Sequence, residues 1–187
     1  MKIIHDATEF TGHRAVVALG MFDGVHIGHQ ALIRRTVALA SEMDARSVVC
    51  TFDRHPLSVL CPDSAPKALL PLHENLKKFE RLGAEWALVQ AFTPEYGATD
   101  PVVFLRSLVQ SLRVAAIVAG VNYTLGAQGR GDAALIRRMA DELGYRAEIV
   151  PPVMDGDVMC SSTRIRQLLE AGETEHARRL LAICEEA

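Results

Sequence analysis

The sequence predicts an α/β domain in which a doubly wound parallel sheet of five strands is covered by helices on both faces. Short, continuously apolar runs alternate along the chain with amphipathic segments of helical period. Runs that are apolar on both faces are typical of parallel strands buried under helices. The length of 187 residues, with 49% hydrophobic and 23% charged residues, fits a single globular domain.

Turn and cap residues separate the expected elements. The five strands are expected at residues 15–19, 46–52, 86–92, 115–119 and 146–150. Helices are expected at residues 28–43, 74–82, 102–112, 133–143, 164–171 and 173–183. Asp100 and Asp132 precede two of these helices as N-caps, and Gly83 and Gly144 follow two others as C-caps. Residues 53–72 contain four prolines and predict a long loop, which is either functional or a passive connection.

The segment of residues 15–30 predicts a phosphate site. An apolar strand stops at Gly20, a turn passes through Gly24, and a helix begins near Ile27. His26 and His29 would then lie on the first turn of that helix and point the same way. Gly28 lets an anion approach the free N–H groups at the helix start. A surface histidine pair and a zinc pair are the alternatives, although no third metal ligand stands at a recognisable spacing nearby.

A second anion signal lies near the end of the chain. Ser161, Ser162 and Thr163 precede a helix whose first turn carries Arg164 and Arg166. Hydroxyls, free N–H groups and guanidinium groups at one helix start favour a triphosphate, although an ordinary N-cap with solvated arginines is the alternative. The turn after Gly20, the His55 loop and the loop at residues 120–131 each follow a strand, so all three should open on the ligand-binding edge of the sheet.

Composition restricts the partners and the compartment. A net charge of −3 argues against a protein that coats nucleic acid. The four cysteines form no CxxC pair and the N-terminus lacks the apolar region of a signal peptide, which predicts reduced thiols in the cytoplasm. No apolar run approaches the roughly 18 residues needed to cross a bilayer. The chain is therefore expected to be soluble, with neither a nucleic-acid nor a membrane partner.

Four motifs resemble, in order and spacing, the FMN adenylyltransferase (FAD synthetase) domain of the bacterial bifunctional riboflavin kinase/FAD synthetase family. They are GMFDGVHIGHQ at residues 20–30, TFDRHP at 51–56, GVNY at 120–123 and SSTRIR at 161–166. The resemblance covers about residues 15–182. It implies a Rossmann-like nucleotidylyltransferase fold and transfer of AMP from ATP to FMN, giving FAD and pyrophosphate with Mg²⁺.

The resemblance also implies roles for individual residues. His26, His29 and Arg166 would be catalytic, and Arg166 with Ser162 and Thr163 would hold the leaving pyrophosphate. The residues implied for ATP binding are Gly20, Phe22, Asp23, Gly24, Gly28, Ser161, Ser162 and Thr163. Those implied for FMN binding are His55, Pro56, Asn122 and Tyr123. No metal ligand is assigned.

The chain departs from the family pattern in several places. Met21 stands where the family often has Asn, Leu125 replaces an aromatic residue, and Arg130 comes one position late. Family members usually continue into a riboflavin kinase domain, so a separate riboflavin kinase would supply FMN or the sequence is part of a longer chain. Transfer to another phosphorylated acceptor, and a non-catalytic flavin- or nucleotide-binding module, are the alternative functions.

Overall fold

The computed structural model describes residues 1–11 and 13–183, and its centre is a parallel sheet of six strands. The strands are β1 (Lys2–Ile4), β2 (Ala15–Leu19), β3 (Arg46–Phe52), β4 (Trp86–Gln90), β5 (Val114–Gly120) and β6 (Arg146–Val150). Their order across the sheet is β1-β4-β3-β2-β5-β6. The chain therefore moves outward on one side of β2 and returns to its other side at β5. The carboxyl ends of β2 and β5 flank the crevice where such sheets bind ligands.

The sheet has one strand more than the five predicted from the sequence. The additional strand, β1, contains only three residues and pairs in parallel with β4 at the edge of the sheet. A run of that length gives no periodic signal, because alternation needs at least four residues to be recognised. The strand predicted at residues 86–92 is also shorter than expected, since β4 ends at Gln90.

Eight α-helices are present among the described residues. They are α1 (Ile27–Glu42), α2 (Leu57–Leu60), α3 (Leu72–Arg81), α4 (Pro94–Gly97), α5 (Pro101–Leu112), α6 (Ala133–Leu143), α7 (Ser162–Glu170) and α8 (Thr174–Leu181). The six longer helices match the predicted ones to within two residues at each end. The short α2 lies inside the proline-rich loop, and α4 was not predicted.

The predicted caps are present where the sequence places them. The side chain of Asp132 accepts a hydrogen bond from the N–H of Leu135, and that of Asp100 accepts from Val102 and Val103. Gly144 ends α6 with a left-handed φ of 74°. A left-handed residue at this position is least costly as glycine.

Apolar side chains cover both faces of the sheet, as a doubly wound fold requires. Within β2, Val17 and Leu19 pack into the core formed with α5 and α6, whereas Val16 and Ala18 pack into the core formed with α1 and α3. A third cluster joins α7 to α8 and includes the partly buried Ile27 at the start of α1. This cluster brings the beginnings of α1 and α7 together.

A small antiparallel hairpin connects β6 to α7. Its strands are β7 (Met154–Asp155) and β8 (Val158–Met159). The cysteines Cys50, Cys61 and Cys160 are free, and Cys184 lies outside the described residues. Over residues 1–11 and 13–183, none of the helices is long and apolar enough to cross a membrane.

Candidate active site

The turn that follows β2 holds two buried side chains in a strained backbone conformation. Phe22 and Val25 have left-handed φ values of 52° and 47°, and both side chains are fully buried. The ring of Phe22 occupies the space that a side chain at position 20 would need, because a Cβ added to Gly20 would lie 2.8 Å from its Cζ atom. The Phe22 ring also makes an edge contact with the ring of His29, with centroids 5.2 Å apart. The turn therefore packs against the ring of His29 through Phe22.

His26 and His29 face the same way, as the sequence predicts. His26 is the N-cap of α1, and its Nδ1 accepts a hydrogen bond of 3.4 Å from the backbone N–H of His29. The two imidazole rings are stacked, with centroids 3.7 Å apart and planes 22° from parallel. The stack stands at the helix start, where the helix dipole favours an anion.

Both rings are held in the neutral form. Burial, together with the nearby charge of Lys78, lowers the pKa of His26 to about 4. Burial and the neighbouring His26 ring lower the pKa of His29 well below its ordinary value. The Nδ1 atom of His29 is buried and has no hydrogen-bond partner among the described residues. A neutral imidazole with such a nitrogen can donate to or accept from a ligand oxygen.

The start of α7 lies directly against the start of α1. The hydroxyl of Ser162 donates to the backbone carbonyl of Asp23 at 2.9 Å. The side chain of Ser161 caps α7 by accepting from the N–H of Arg164 at 3.1 Å. A Cβ added to Gly28 would lie only 3.6 Å from the carbonyl oxygen of Cys160. Two helix N-termini, from opposite ends of the sequence, thus share one corner of the sheet.

Arg166 is engaged with protein groups rather than exposed to solvent. One guanidinium nitrogen lies 2.5 Å from Oδ2 of Asp23, and Nε donates to the carbonyl of Lys67 at 2.8 Å. The same carboxylate accepts from the backbone N–H groups of Leu69 and Leu70. Asp23 therefore links the turn after β2 to both α7 and the proline-rich loop. Burial and the charge of Arg166 together lower the pKa of the neighbouring His55.

Three of the cavities formed by the described residues open at the carboxyl edge of the sheet. The first, of about 180 Å³, is lined by the two histidines, by Gly20 and Gly120 at the ends of β2 and β5, and by residues 150–153. The second, of about 550 Å³, is largely apolar. The third, of about 100 Å³, includes Asp23 and His55. Met21 lines all three, and Asn122 and Tyr123 line the first two. The cavities are thus adjoining parts of one site.

An aromatic cluster that the motifs did not reveal lines the second cavity. Its members are Phe52, Phe92, Tyr96 and Phe104. The ring centroid of Phe52 lies 5.1 Å from that of Phe92 and 5.4 Å from that of Tyr96. The hydroxyl of Tyr96 donates to Oε1 of Gln90 at 2.6 Å, and burial raises its pKa. Aromatic residues make up only 5% of the chain. Their grouping near the ends of two neighbouring strands is therefore the sequence feature that could have indicated this cluster.

The structure brings most of the residues singled out from the sequence to this edge, in different roles. Gly20, His26, Gly28, His29, Asn122 and Tyr123 line the first cavity, and Pro56, Asn122 and Tyr123 line the second. Phe22 and Gly24 lie underneath, where Gly24 packs against Leu69 and Leu181. Thr163 is exposed on the first turn of α7.

The described residues provide no cluster suited to Mg²⁺. Within residues 1–11 and 13–183, no group of three or more His, Cys, Asp or Glu side chains could hold a metal ion. The carboxylate of Asp23, which lies within the turn after β2, is already occupied by Arg166 and two backbone N–H groups. The residues therefore do not fit a protein-built magnesium site.

Fold and site together define a Rossmann-like α/β domain of the nucleotidylyltransferase type. A family model described as FAD synthetase matches residues 9–164. The chain belongs to the FAD synthetase family, as the motifs predict.

Two curated relatives and one solved structure illustrate the similarity. The bifunctional riboflavin kinase/FMN adenylyltransferase of Listeria monocytogenes is 35% identical over 92% of this chain and 55% of its own length. A putative bifunctional protein of the same name from Geobacillus thermodenitrificans is 36% identical over 95% of this chain and 96% of its own length. A crystal structure described as a macrolide-efflux protein from Streptococcus pneumoniae has a TM-score of 0.82 and 30% identity, covering 96% of this chain and 60% of that one. The chain spans about half the length of several of the curated relatives it matches.

Proposed function

We propose that the chain transfers AMP from ATP to FMN, producing FAD and pyrophosphate. The observation that carries the proposal is the stacked, neutral His26–His29 pair in a cavity that adjoins a larger aromatic one. The first cavity suits a phosphate chain and the second suits a flat aromatic ring. The two substrates would therefore meet beside Met21, Asn122 and Tyr123, which line both cavities.

The reaction needs positioning and charge stabilisation more than a general base. An oxygen of the FMN phosphate, already anionic, attacks the α-phosphorus of ATP, and the bond from that phosphorus to the bridging oxygen breaks to release pyrophosphate. Negative charge develops on the leaving group and on the α-phosphate oxygens. We assign this stabilisation to the rings of His26 and His29 and to the N–H groups at the starts of α1 and α7.

Arg166 takes part in this scheme while it stays paired with Asp23. In the structure its guanidinium pairs with Asp23. Nη2 binds Asp23 and Nε binds the carbonyl of Lys67, so Nη1 would be the donor to a triphosphate bound in the first cavity. Ser162 and Thr163 lie on the first turn of α7, about one turn before Arg166, and would complete the contacts to the leaving pyrophosphate.

The larger cavity favours a flavin over other phosphorylated acceptors. Its volume of about 550 Å³ is within the range of cofactor sites, roughly 300–1,000 Å³. Aromatic rings from β3, α4, α5 and the segment after β4 surround it, and such rings stack on or edge against a planar ligand. Pro56, Asn122 and Tyr123 belong to the same lining, whereas His55 lines the smaller cavity beside Asp23.

We expect Mg²⁺ to bind together with ATP. Magnesium usually keeps several waters and binds substrate phosphates with few protein ligands. No step is assigned to it here. Supply of FMN by a riboflavin kinase and a cytoplasmic location remain predictions from the sequence.

The test is incubation with ATP, Mg²⁺ and either FMN or riboflavin, with FAD and pyrophosphate measured by chromatography. We expect FAD from FMN and no adenylylated product from riboflavin, which lacks the attacking phosphate. Sugar phosphates, pantetheine phosphate and nicotinamide mononucleotide serve as competing acceptors. Preferential transfer to one of these would reject the flavin assignment, and binding without any transfer would indicate a non-catalytic module.

A further inference from the structure

Three polar side chains form hydrogen bonds with the backbone of the turn that precedes His26. The backbone N–H of Gly24 donates to Oδ1 of Asn75 at 3.1 Å. The ammonium group of Lys78 donates to the carbonyl of Gly24 at 3.0 Å, and the side-chain amide of Gln30 donates to the carbonyl of Val25 at 3.0 Å. Neither Asn75 nor Lys78 belongs to the four motifs. The backbone on both sides of the Gly24–Val25 peptide bond is thus fixed by side chains.

Two of these side chains also bind the end of α8. Lys78 donates to the carbonyl of Leu181 at 2.7 Å, and Gln30 donates to the carbonyl of Ala182 at 2.7 Å. Carbonyls at a helix end have no partner within the helix, and the dipole there attracts a cation. Each donor therefore forms a bridge between the turn after β2 and the end of the last helix.

The turn needs such support because its backbone is strained. Phe22 and Val25 both have left-handed φ values although they are bulky residues. Such a conformation is strained for a bulky residue and persists only where its surroundings determine it. Val25 directly precedes His26, so any relaxation of the turn displaces the N-cap of α1 and the ring stacked on His29.

We propose that Lys78 is a positioning residue, which ties the end of α8 to the turn of residues 22–25 and thereby holds His26 and His29 in their working geometry. Its effect on catalysis rests on the proposed function above. Lys78 is half-buried and binds two carbonyl oxygens rather than a carboxylate. Its charge faces His26, and the ring of His29 on the same helix and the thiol of Cys160, which lines the same cavity, are further ionisable groups near that ring.

Lys77 supplies a matched control on the same helix. Its side chain is exposed, and its ammonium group pairs with Glu74 at 2.8 Å. Lys77→Met therefore removes the same charge from α3 without touching the turn. Lys78→Met keeps the length of the stem but removes both hydrogen bonds of the Lys78 bridge, whereas Lys78→Arg restores donors and charge. Lys78→Gln is a milder variant that removes the charge but keeps N–H donors on a shorter side chain.

The experiment combines kinetics with NMR of histidine rings labelled at Cε1. For Lys78→Met we expect kcat for FAD formation to fall about 10- to 100-fold, because small misplacements of reacting groups have effects of this size. The KM for FMN should stay within twofold, since the aromatic cavity does not include this turn. Lys78→Arg should recover most of the rate, Lys78→Gln should be intermediate, and Lys77→Met should match the parent chain.

The NMR measurement decides the proposal independently of activity. Removing Lys78 should shift the ring signals of His26 and His29 and raise the pKa of His26, because a nearby cation disfavours its protonated form. A Lys78→Met variant with the kcat and histidine signals of Lys77→Met would overturn the proposal. A lower melting temperature with unchanged kcat and unchanged histidine signals would overturn it as well. If the parent chain made no FAD, the proposed function would fail, and the histidine signals of Lys78→Gln would still decide the positioning role.

Discussion

Replacing Gly20 by alanine should disturb both the packing and the catalytic geometry of the turn after β2. The new Cβ would lie 2.8 Å from Cζ and 2.9 Å from Cε2 of the Phe22 ring. Real Cβ contacts are not that short, so the ring must move. It cannot move freely, because it is fully buried and makes edge contacts with the rings of Phe79 and His29.

The size of the effect follows from overpacking a buried aromatic ring. Adding a methylene to a well-packed interior costs about 1–3 kcal/mol in free energy of unfolding. For a chain of this size, 1 kcal/mol lowers the melting temperature by roughly 2–4 °C, so the expected loss is roughly 2–12 °C. Displacement of Phe22 also tilts His29, and we expect kcat to fall together with the melting temperature.

The assay is calorimetric unfolding together with steady-state FAD formation, and Gly120→Ala is the control. Gly120 ends the neighbouring strand β5 and lines the same cavity, but a Cβ there would meet Leu32 at 3.9 Å, an ordinary contact. Its φ is not in the left-handed region. Gly120→Ala should therefore unfold near the parent temperature. Unfolding of Gly20→Ala at the same temperature as Gly120→Ala would refute the overpacking of the Phe22 ring.

Three further predictions concern charges and rings at the site. His29→Ala should lower kcat by roughly 10²-fold or more, since it removes a group placed to stabilise the transition state; an unchanged rate in a steady-state assay would exclude that role. Arg166→Ala should weaken ATP binding more than FMN binding in separate calorimetric titrations, and equal losses for the two ligands would contradict the assignment of Arg166 to the phosphates. Stability should fall as the pH drops from 6.5 to about 4, because the unfolded chain protonates His26 in this window while the folded chain keeps it neutral. The shift corresponds to roughly 3 kcal/mol, and denaturant titrations should show a smaller loss for His26→Gln than for the parent chain; equal losses would contradict the lowered pKa.

The sequence predicts the central part of the fold because its strands and helices have long, regular patterns. Residues 46–52 and 146–150 are strands as expected, and α6 begins and ends at its predicted caps. The shortest elements were missed. The edge strand β1 has three residues, and the strands of the hairpin have two each. Such segments are formed by pairing with the rest of the fold, and their own sequences carry no periodic signal.

The candidate site was predictable where it lies within one continuous motif. The spacing of His26 and His29 on one helix turn fixes their common direction before any tertiary contact is considered. The pairing of Arg166 with Asp23 and the support from Lys78 join positions 54 to 143 residues apart. The aromatic cavity likewise collects rings from separate elements. Such contacts are determined by the packing of distant segments, so no local sequence pattern predicts them.

The most direct test is a crystal structure of the chain with FMN and an ATP analogue in which a methylene group replaces the oxygen between the α- and β-phosphates. We expect the α-phosphate to lie within hydrogen-bonding distance of the His29 ring, and the flavin ring to lie among Phe52, Tyr96 and Phe104. An oxygen of the FMN phosphate should then lie in line with the bond to the methylene group. Phosphates bound away from the starts of α1 and α7, or a flavin outside the aromatic cavity, would contradict this expectation.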